Sequence, residues 1–298
     1  MVSSAELMAI AQQRVVKKSL EIDGVRADYW FYPSTSENPA VARNIVLVHG
    51  YRGDHHGLEA FSGGLTAFNV YAPDLPGFGT SEPMKKKHDL NNYAKWLLLF
   101  SKELQLEKPI AIGHSFGTLV VAAAQAKEKF ANALVFINAV GGGGVKGVAA
   151  FLLNFIKFYY WFAHVIPEAL GLKMLKARIL VDSMSNFTTK SKDKVLRAWI
   201  KEQHNLHFNS FSDSQVVWES YIASISNTIT PFLPEIKEPI LFIAAELDEI
   251  TPVSSVVQMS EEMPNAQMHL VLNCGHLVHY EAAEETLVVI NSFLSKLD

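Results

Sequence analysis

Cysteine is almost absent: Cys274 stands alone in 298 residues, so no disulfide can form within the chain and a reducing compartment is the expected setting. At the end of an apolar run it reads as a small buried filler. Basic residues are in the minority, 26 Lys and Arg against 30 Asp and Glu for a formal charge of -4. That balance argues against a nucleic-acid partner, which would need a cationic face to neutralise several phosphates. The one basic run, Lys85-Lys86-Lys87-His88, lies in a proline-flanked loop and reads as solvated surface. No integral membrane segment is expected, because the most apolar stretch, Phe151 to Ile166, is interrupted by Asn154, Lys157 and His164 and falls short of the about 20 residues that span a bilayer. It reads as amphipathic. The amino terminus shows no basic segment followed by an apolar stretch and a small-residue cleavage site, so a cytoplasmic location is expected. Ser4-Ala5-Glu6 instead reads as a capped short helix.

What the chain does have is a large stock of core-forming side chains, 49% hydrophobic against 19% charged, ordinary for one large domain with an insertion and incompatible with disorder. Val15 to Ile22 and Val25 to Tyr32 are strand-like runs joined by Asp23-Gly24, a dipeptide suited to a tight hairpin turn because both positions tolerate positive φ. The signal then changes to short continuous apolar runs: Asn44 to Val48, Asn69 to Ala72, Pro109 to Ile112, Ala133 to Ile137, Pro239 to Ala244 and Met268 to Leu272. Runs without alternation are strands buried on both faces. Helical stretches, including Asn91 to Leu104, Thr118 to Lys129, Val253 to Met263 and Ala282 to Leu297, separate most of them.

The fold class expected is therefore α/β, a mostly parallel sheet flanked by helices. Gly141-Gly142-Gly143-Gly144 opens a long helical, aromatic-rich interval before the next strand, which reads as an inserted helical cap over residues 141–234 on a core of 1–140 and 235–298. The glycine run is expected to serve as a hinge or tight crossing, since it lacks the Lys and Ser or Thr of a phosphate cradle.

Gly113-His114-Ser115-Phe116-Gly117 follows the apolar run Pro109 to Ile112 and precedes a helical stretch, the pattern of a nucleophile elbow. A serine on so tight a strand-to-helix turn needs neighbours without bulk on either side, and the helix after it aims its positive end at the place where an oxyanion would form. A serine hydroxyl needs an imidazole to take its proton and a carboxylate to orient that imidazole. In open α/β sheets such groups sit just past the carboxyl ends of strands. Glu246-Leu247-Asp248-Glu249 and Asn273-Cys274-Gly275-His276 stand there, and after Ala133 to Ile137 stands Asn138, which cannot serve as an anion.

From about Val15 to its carboxyl terminus the chain resembles the α/β-hydrolase family. The order Ser115, Asp248, His276 matches that family's triad, His49-Gly50-Tyr51 resembles its oxyanion loop, and Asp74-Leu75-Pro76-Gly77-Phe78-Gly79-Thr80-Ser81 resembles the loop that follows the next strand. The resemblance implies Ser115 as nucleophile, His276 as general base and then acid, Asp248 rather than Glu246 or Glu249 as orienting carboxylate, and the N–H groups of Tyr51 and Phe116 as the oxyanion hole. No metal and no cofactor is implied.

Eleven histidines leave several to place. His49 and His114, beside the two motifs, are expected to be structural or supporting residues, with His114 also a candidate substrate contact. His55, His56 and His279 are expected at the rim, where His279 could touch substrate. His204 and His207 could share a helix face but lack the companion ligands of a metal site. The aromatic density from Phe151 to Phe162 must be covered by something apolar: either these rings pack the cap onto the core, or a subset lines an apolar cleft over Ser115. Phe155, Tyr159, Trp161 and Trp218 are the candidates for that lining.

The expected partner is a small hydrophobic acyl substrate, and the expected activity is hydrolysis of its ester or thioester through an acyl-enzyme. Two alternatives remain open on the same residues. One is a carbon-carbon bond hydrolase of ring-cleavage products or a cofactor-free haloperoxidase. The other is a non-catalytic binding protein. Relatives with an aspartate nucleophile are disfavoured by serine at position 115.

Overall fold

The computed structural model describes residues 2–142 and 148–297. Eight strands form one sheet: β1 (Val16–Ile22), β2 (Val25–Tyr32), β3 (Asn44–Val48), β4 (Asn69–Pro73), β5 (Ile110–His114), β6 (Ala133–Ile137), β7 (Ile240–Ala245) and β8 (Ala266–Val271). Their spatial order is β1-β2-β4-β3-β5-β6-β7-β8. The β1–β2 hairpin joins β4 antiparallel, and every other pairing is parallel. The expected α/β class and the mostly parallel sheet are both present.

The helices are α1 (Ser4–Gln12), α2 (Glu59–Gly64), α3 (Leu90–Glu103), α4 (Phe116–Glu128), α5 (Val148–Val165), α6 (Glu168–Leu175), α7 (Arg178–Thr188), α8 (Lys194–His207), α9 (Ser214–Ile225), α10 (Val253–Glu261), α11 (Val278–Glu281) and α12 (Ala283–Leu294). The cap of α1 is Ser3, one residue before the expected start, and it forms a reciprocal capping box with Glu6. Helix α2 was not expected from its sequence, which ends in two glycines. Their lack of side chains lets Gly63 lie against the Leu7 carbonyl and Gly64 against Leu287.

Burial on both faces explains the unalternating strands β3 to β7, whereas β8, expected to be buried in the same way, is the edge strand and is largely only partly buried, with Leu272 beyond its end 59% exposed. In β7, Ile240, Phe242 and Ala244 join the cluster beneath α3, α4 and α10, while Leu241, Ile243 and Ala245 join the cluster beneath α1, α2 and α12. The five helices α5 to α9 stand between β6 and β7 and do not form a separate core. Tyr160, Leu175, Val217 and Tyr221 extend the first cluster, and Ile200 extends the second. Gly143 and Gly144 of the expected hinge and the side chain of Phe151 lie outside the described residues. Among the described residues no helix is long and apolar enough to cross a membrane.

Pairing continues past the strand ends, with Ser115 N–H donating to the Ile137 carbonyl, Asn138 N–H to Ile243 and Glu246 N–H to Val271. The carboxyl edge of the sheet is thereby a rigid shelf from which the turns after β3, β5, β6, β7 and β8 project together.

Candidate active site

Ser115 sits between β5 and α4 with φ 51° and ψ -118°, a left-handed backbone that a serine adopts only under constraint. The constraint is close packing of glycines. A Cβ on Gly117 would stand 2.2 Å from the Val48 carbonyl oxygen, and one on Gly113 would stand 2.6 Å from the Gly117 carbonyl oxygen. Only hydrogen at both positions lets the helix start so close to the sheet.

The hydroxyl of Ser115 meets Nε2 of His276 at 2.9 Å, and Nδ1 of His276 donates to Oδ2 of Asp248 at 2.7 Å. Oδ1 of Asp248 accepts the N–H groups of Ile250 and Thr251, and Oδ2 also accepts the Thr251 hydroxyl. Burial opposes the charge of this carboxylate, but the adjacent His276 and these hydrogen bonds outweigh it and hold its pKa below the usual range. Three groups from the ends of β5, β7 and β8 thus form one chain of hydrogen bonds. Glu246 is instead bonded to the Asn273 N–H, and Glu249 pairs with Lys190.

The two oxyanion candidates lie against the same turn. Phe116 opens α4, so its N–H has no carbonyl one turn back to receive it. Gly50 lies so near the nucleophile that a Cβ there would be 3.2 Å from Cβ of Ser115, which brings the following residue, Tyr51, beside it. His49 shapes this loop: Nδ1 donates to the Gly50 carbonyl and Nε2 accepts the Leu75 N–H at 2.8 Å.

Other histidines are not where the sequence suggested. His279 is buried, not at the rim; its ring lies 4.6 Å from that of His114 and 4.4 Å from that of Tyr280. The reason is that α11 turns inward immediately after the loop carrying His276. His55 stacks on Trp30 and donates to Asp74, and His56 stacks on His207, so neither is a free rim group. His204 packs against Phe208 and Tyr280 while its neighbour His207 reaches Asp54. Among the described residues no group of three or more His, Cys, Asp or Glu side chains could hold a metal ion.

His114 is buried and bound to protein: its Nε2 donates to the main-chain carbonyl of His276 at 3.0 Å. Burial pushes its pKa down to about 3, so it stands there as a neutral donor. Asn138, dismissed by sequence because it is no anion, donates to the same carbonyl at 2.8 Å. An amide at the end of β6 was the available signal, legible only once β6 was known to lie beside β5. Cys274 is buried, and burial raises its thiol pKa well above the usual range, which leaves it an inert filler.

The candidate lining divides. Trp218 is half-buried, 6.5 Å from the ring of His164. Tyr159 spends its hydroxyl on the Met174 carbonyl. Phe155 and Trp161 are exposed, which corrects their expected place over Ser115: the helical period that buries Tyr160 and Ala163 turns them outward. The ring closest to the oxyanion loop is instead Tyr51 itself, packed among Phe78, Tyr160 and Tyr221.

A profile of the alpha/beta hydrolase fold matches residues 43–283. The chain belongs to this family. Among α/β hydrolases it is 24% identical to 2-hydroxy-6-oxononadienedioate/2-hydroxy-6-oxononatrienedioate hydrolase 2 of Pseudomonas putida, over 85% of this chain and 88% of the relative. Its fold is shared with an esterase from Exiguobacterium antarcticum (TM-score 0.76, 16% identity, 94% of this chain and all, 100%, of the other). It is shared equally with the enol-lactonase of Burkholderia xenovorans LB400 (TM-score 0.76, 17% identity, 93% and 100% coverage). This α/β hydrolase therefore has the scaffold of enzymes with several chemistries, and its own site must decide among them.

Proposed function

We propose that this α/β hydrolase is a serine hydrolase that cleaves a hydrophobic carboxylic ester or thioester through an acyl-enzyme. The observation that carries the reading is the unbroken line from Ser115 Oγ through His276 to Asp248, at 2.9 Å and 2.7 Å. In the first half-reaction the Ser115 oxygen attacks the substrate carbonyl carbon while its proton passes to Nε2 of His276. The carbonyl oxygen gains the electron pair and is held by the N–H groups of Phe116 and Tyr51, each worth about 3 to 4 kcal/mol in such sites. His276 then protonates the leaving alcohol or thiol, and water repeats the sequence to free the acid. Asp248, kept ionised by its surroundings, stabilises the imidazolium at each step. Residues 141–234 act as the cap over this centre, and apolar rings gathered round Tyr51 favour an apolar acyl group.

Carbon-carbon hydrolysis is the second reading, favoured by the Pseudomonas putida relative, whose named substrate is a dioate. A dianionic substrate calls for a cation with free donors. The buried cation next to the oxyanion loop, Arg52, directs both terminal nitrogens to the Tyr160 hydroxyl, the Leu175 carbonyl and Asn209 and keeps only Nε unpartnered, which leaves little to hold two carboxylates and supports the ester reading. A chain-length series of p-nitrophenyl esters beside a ring-cleavage dione tests both. Rising kcat/KM from acetate to longer acyl groups is expected. Dione turnover without ester turnover would replace the first reading with the second.

A further inference from the structure

Helix α5 buries Tyr160 but carries four other aromatic rings on the side away from the core. Phe155, Phe158, Trp161 and Phe162 are 59%, 54%, 43% and 41% exposed, and they follow one another at helical spacing along a single face. Phe158 touches two of the others, with ring centroids 5.6 Å apart for Phe158 and Trp161 and 6.0 Å for Phe158 and Phe162. The patch runs on past exposed Val165 into a groove of about 550 Å³ between α5 and α6, lined by Phe162, Ile166, Pro167, Leu170 and Met174 with Lys173 at its wall. A continuous apolar surface of this kind on a folded protein marks a contact site.

Charge identifies the partner. Lys157 borders the aromatic stripe, Lys173 lines the groove and Lys176 follows the end of α6; all are exposed, and among the described residues none has an ion-pair partner. The neighbouring acids offer no compensation. Glu168 is occupied by the N–H and hydroxyl of Ser214, and Asp182 by Lys201. A second copy meeting this face across a two-fold axis would bring two such sets of lysines into one interface with no carboxylate between them.

We propose that this face docks on an anionic phospholipid surface. The rings and the groove enter the boundary between headgroups and acyl chains, and the lysines extend to lipid phosphates. Among the described residues no helix is long and apolar enough to cross a bilayer, and in this docking α5 lies in the membrane plane. This contact is independent of the reaction assigned to Ser115.

Flotation of the full chain with vesicles tests it. Binding to vesicles rich in phosphatidylglycerol is expected at low salt, with weaker binding to phosphatidylcholine alone and loss at high salt. F158S/F162S is expected to weaken binding to both lipids by about tenfold or more, and K157Q/K173Q/K176Q to weaken only the anionic binding by a similar factor. Both variants should stay folded, with far-UV circular dichroism like that of the wild type; the lysine variant also gives up the contact of Lys176 with the Phe211 ring, 4.8 Å away, and should melt slightly lower. Absence of flotation, or flotation that both variants leave unchanged, would overturn the proposal. So would a dimer in sedimentation equilibrium that F158S/F162S dissociates while vesicles bind nothing, which would assign the face to a second copy.

Discussion

His114 and His276 are joined by a hydrogen bond that leaves both nitrogens of the second imidazole free for other work: Nε2 of His114 reaches the main-chain carbonyl of His276, 3.0 Å away. The same carbonyl receives Nδ2 of Asn138, so the loop after β8 is held by side chains from the ends of β5 and β6. Asn138→Ala removes one of the two donors and lets the imidazole drift from Ser115. A fall in kcat of roughly tenfold with little change in KM is expected, measured on the best ester. An unchanged kcat would show that His114 alone suffices.

Ser115→Ala removes the nucleophile while retaining the backbone turn that Gly113 and Gly117 permit. Turnover should drop by about 10³-fold or more, with the melting temperature within a few degrees of wild type. A fluorophosphonate probe should label the wild-type chain at this position only. Labelling at another serine, or residual turnover above a tenth, would refute the assignment.

Three buried histidines set the acid limit of stability. Burial lowers the pKa of His114 to about 3, that of His204 to about 4, and that of His279 well below normal. In the unfolded chain each takes up a proton near pH 6.5, whereas the folded chain refuses it until the pH falls to its depressed value. Stability is therefore complete above about pH 6.5 and declines as the pH drops from there, by about 2 kcal/mol at pH 5 for each of His114 and His204, with His279 adding in the same direction. Urea unfolding at pH 7 and pH 5 measures this, and His204→Gln should reduce the difference. Equal midpoints at the two pH values would contradict it.

Arg52 is fully buried, with left-handed φ 59°, immediately after the oxyanion residue Tyr51. Its guanidinium binds α5 through Tyr160, the end of α6 through Leu175 and the turn before α9 through Asn209, and lies 4.5 Å from the Phe208 ring. Arg52→Met would leave the Leu175 carbonyl and Asn209 without their donor. A loss of about 3 kcal/mol is expected in chemical unfolding, with kcat falling because Tyr51 loses its anchor. A change below about 0.5 kcal/mol would show that these groups find other partners.

Contiguous patterns carried most of the fold. Unbroken apolar runs marked strands buried on both sides, and glycines flanking Ser115 marked the only kind of turn that admits them, because both signals depend on residues adjacent in the chain. The positions of Asp248 and His276 past two such runs were equally legible. What contiguity could not carry was direction. Whether α5 hides Phe155 and Trp161 or displays them depended on which face met the core, and that was set by Tyr160 packing on Tyr221 and by Gly171 lying against the Ala163 carbonyl. Likewise, Asn138 acquired a use and His279 lost its exposure only when β6 and α11 took their places beside the loop of His276. Local sequence determines which backbone conformations are cheap; which polar atoms and rings become neighbours is decided by close packing of segments distant in the chain.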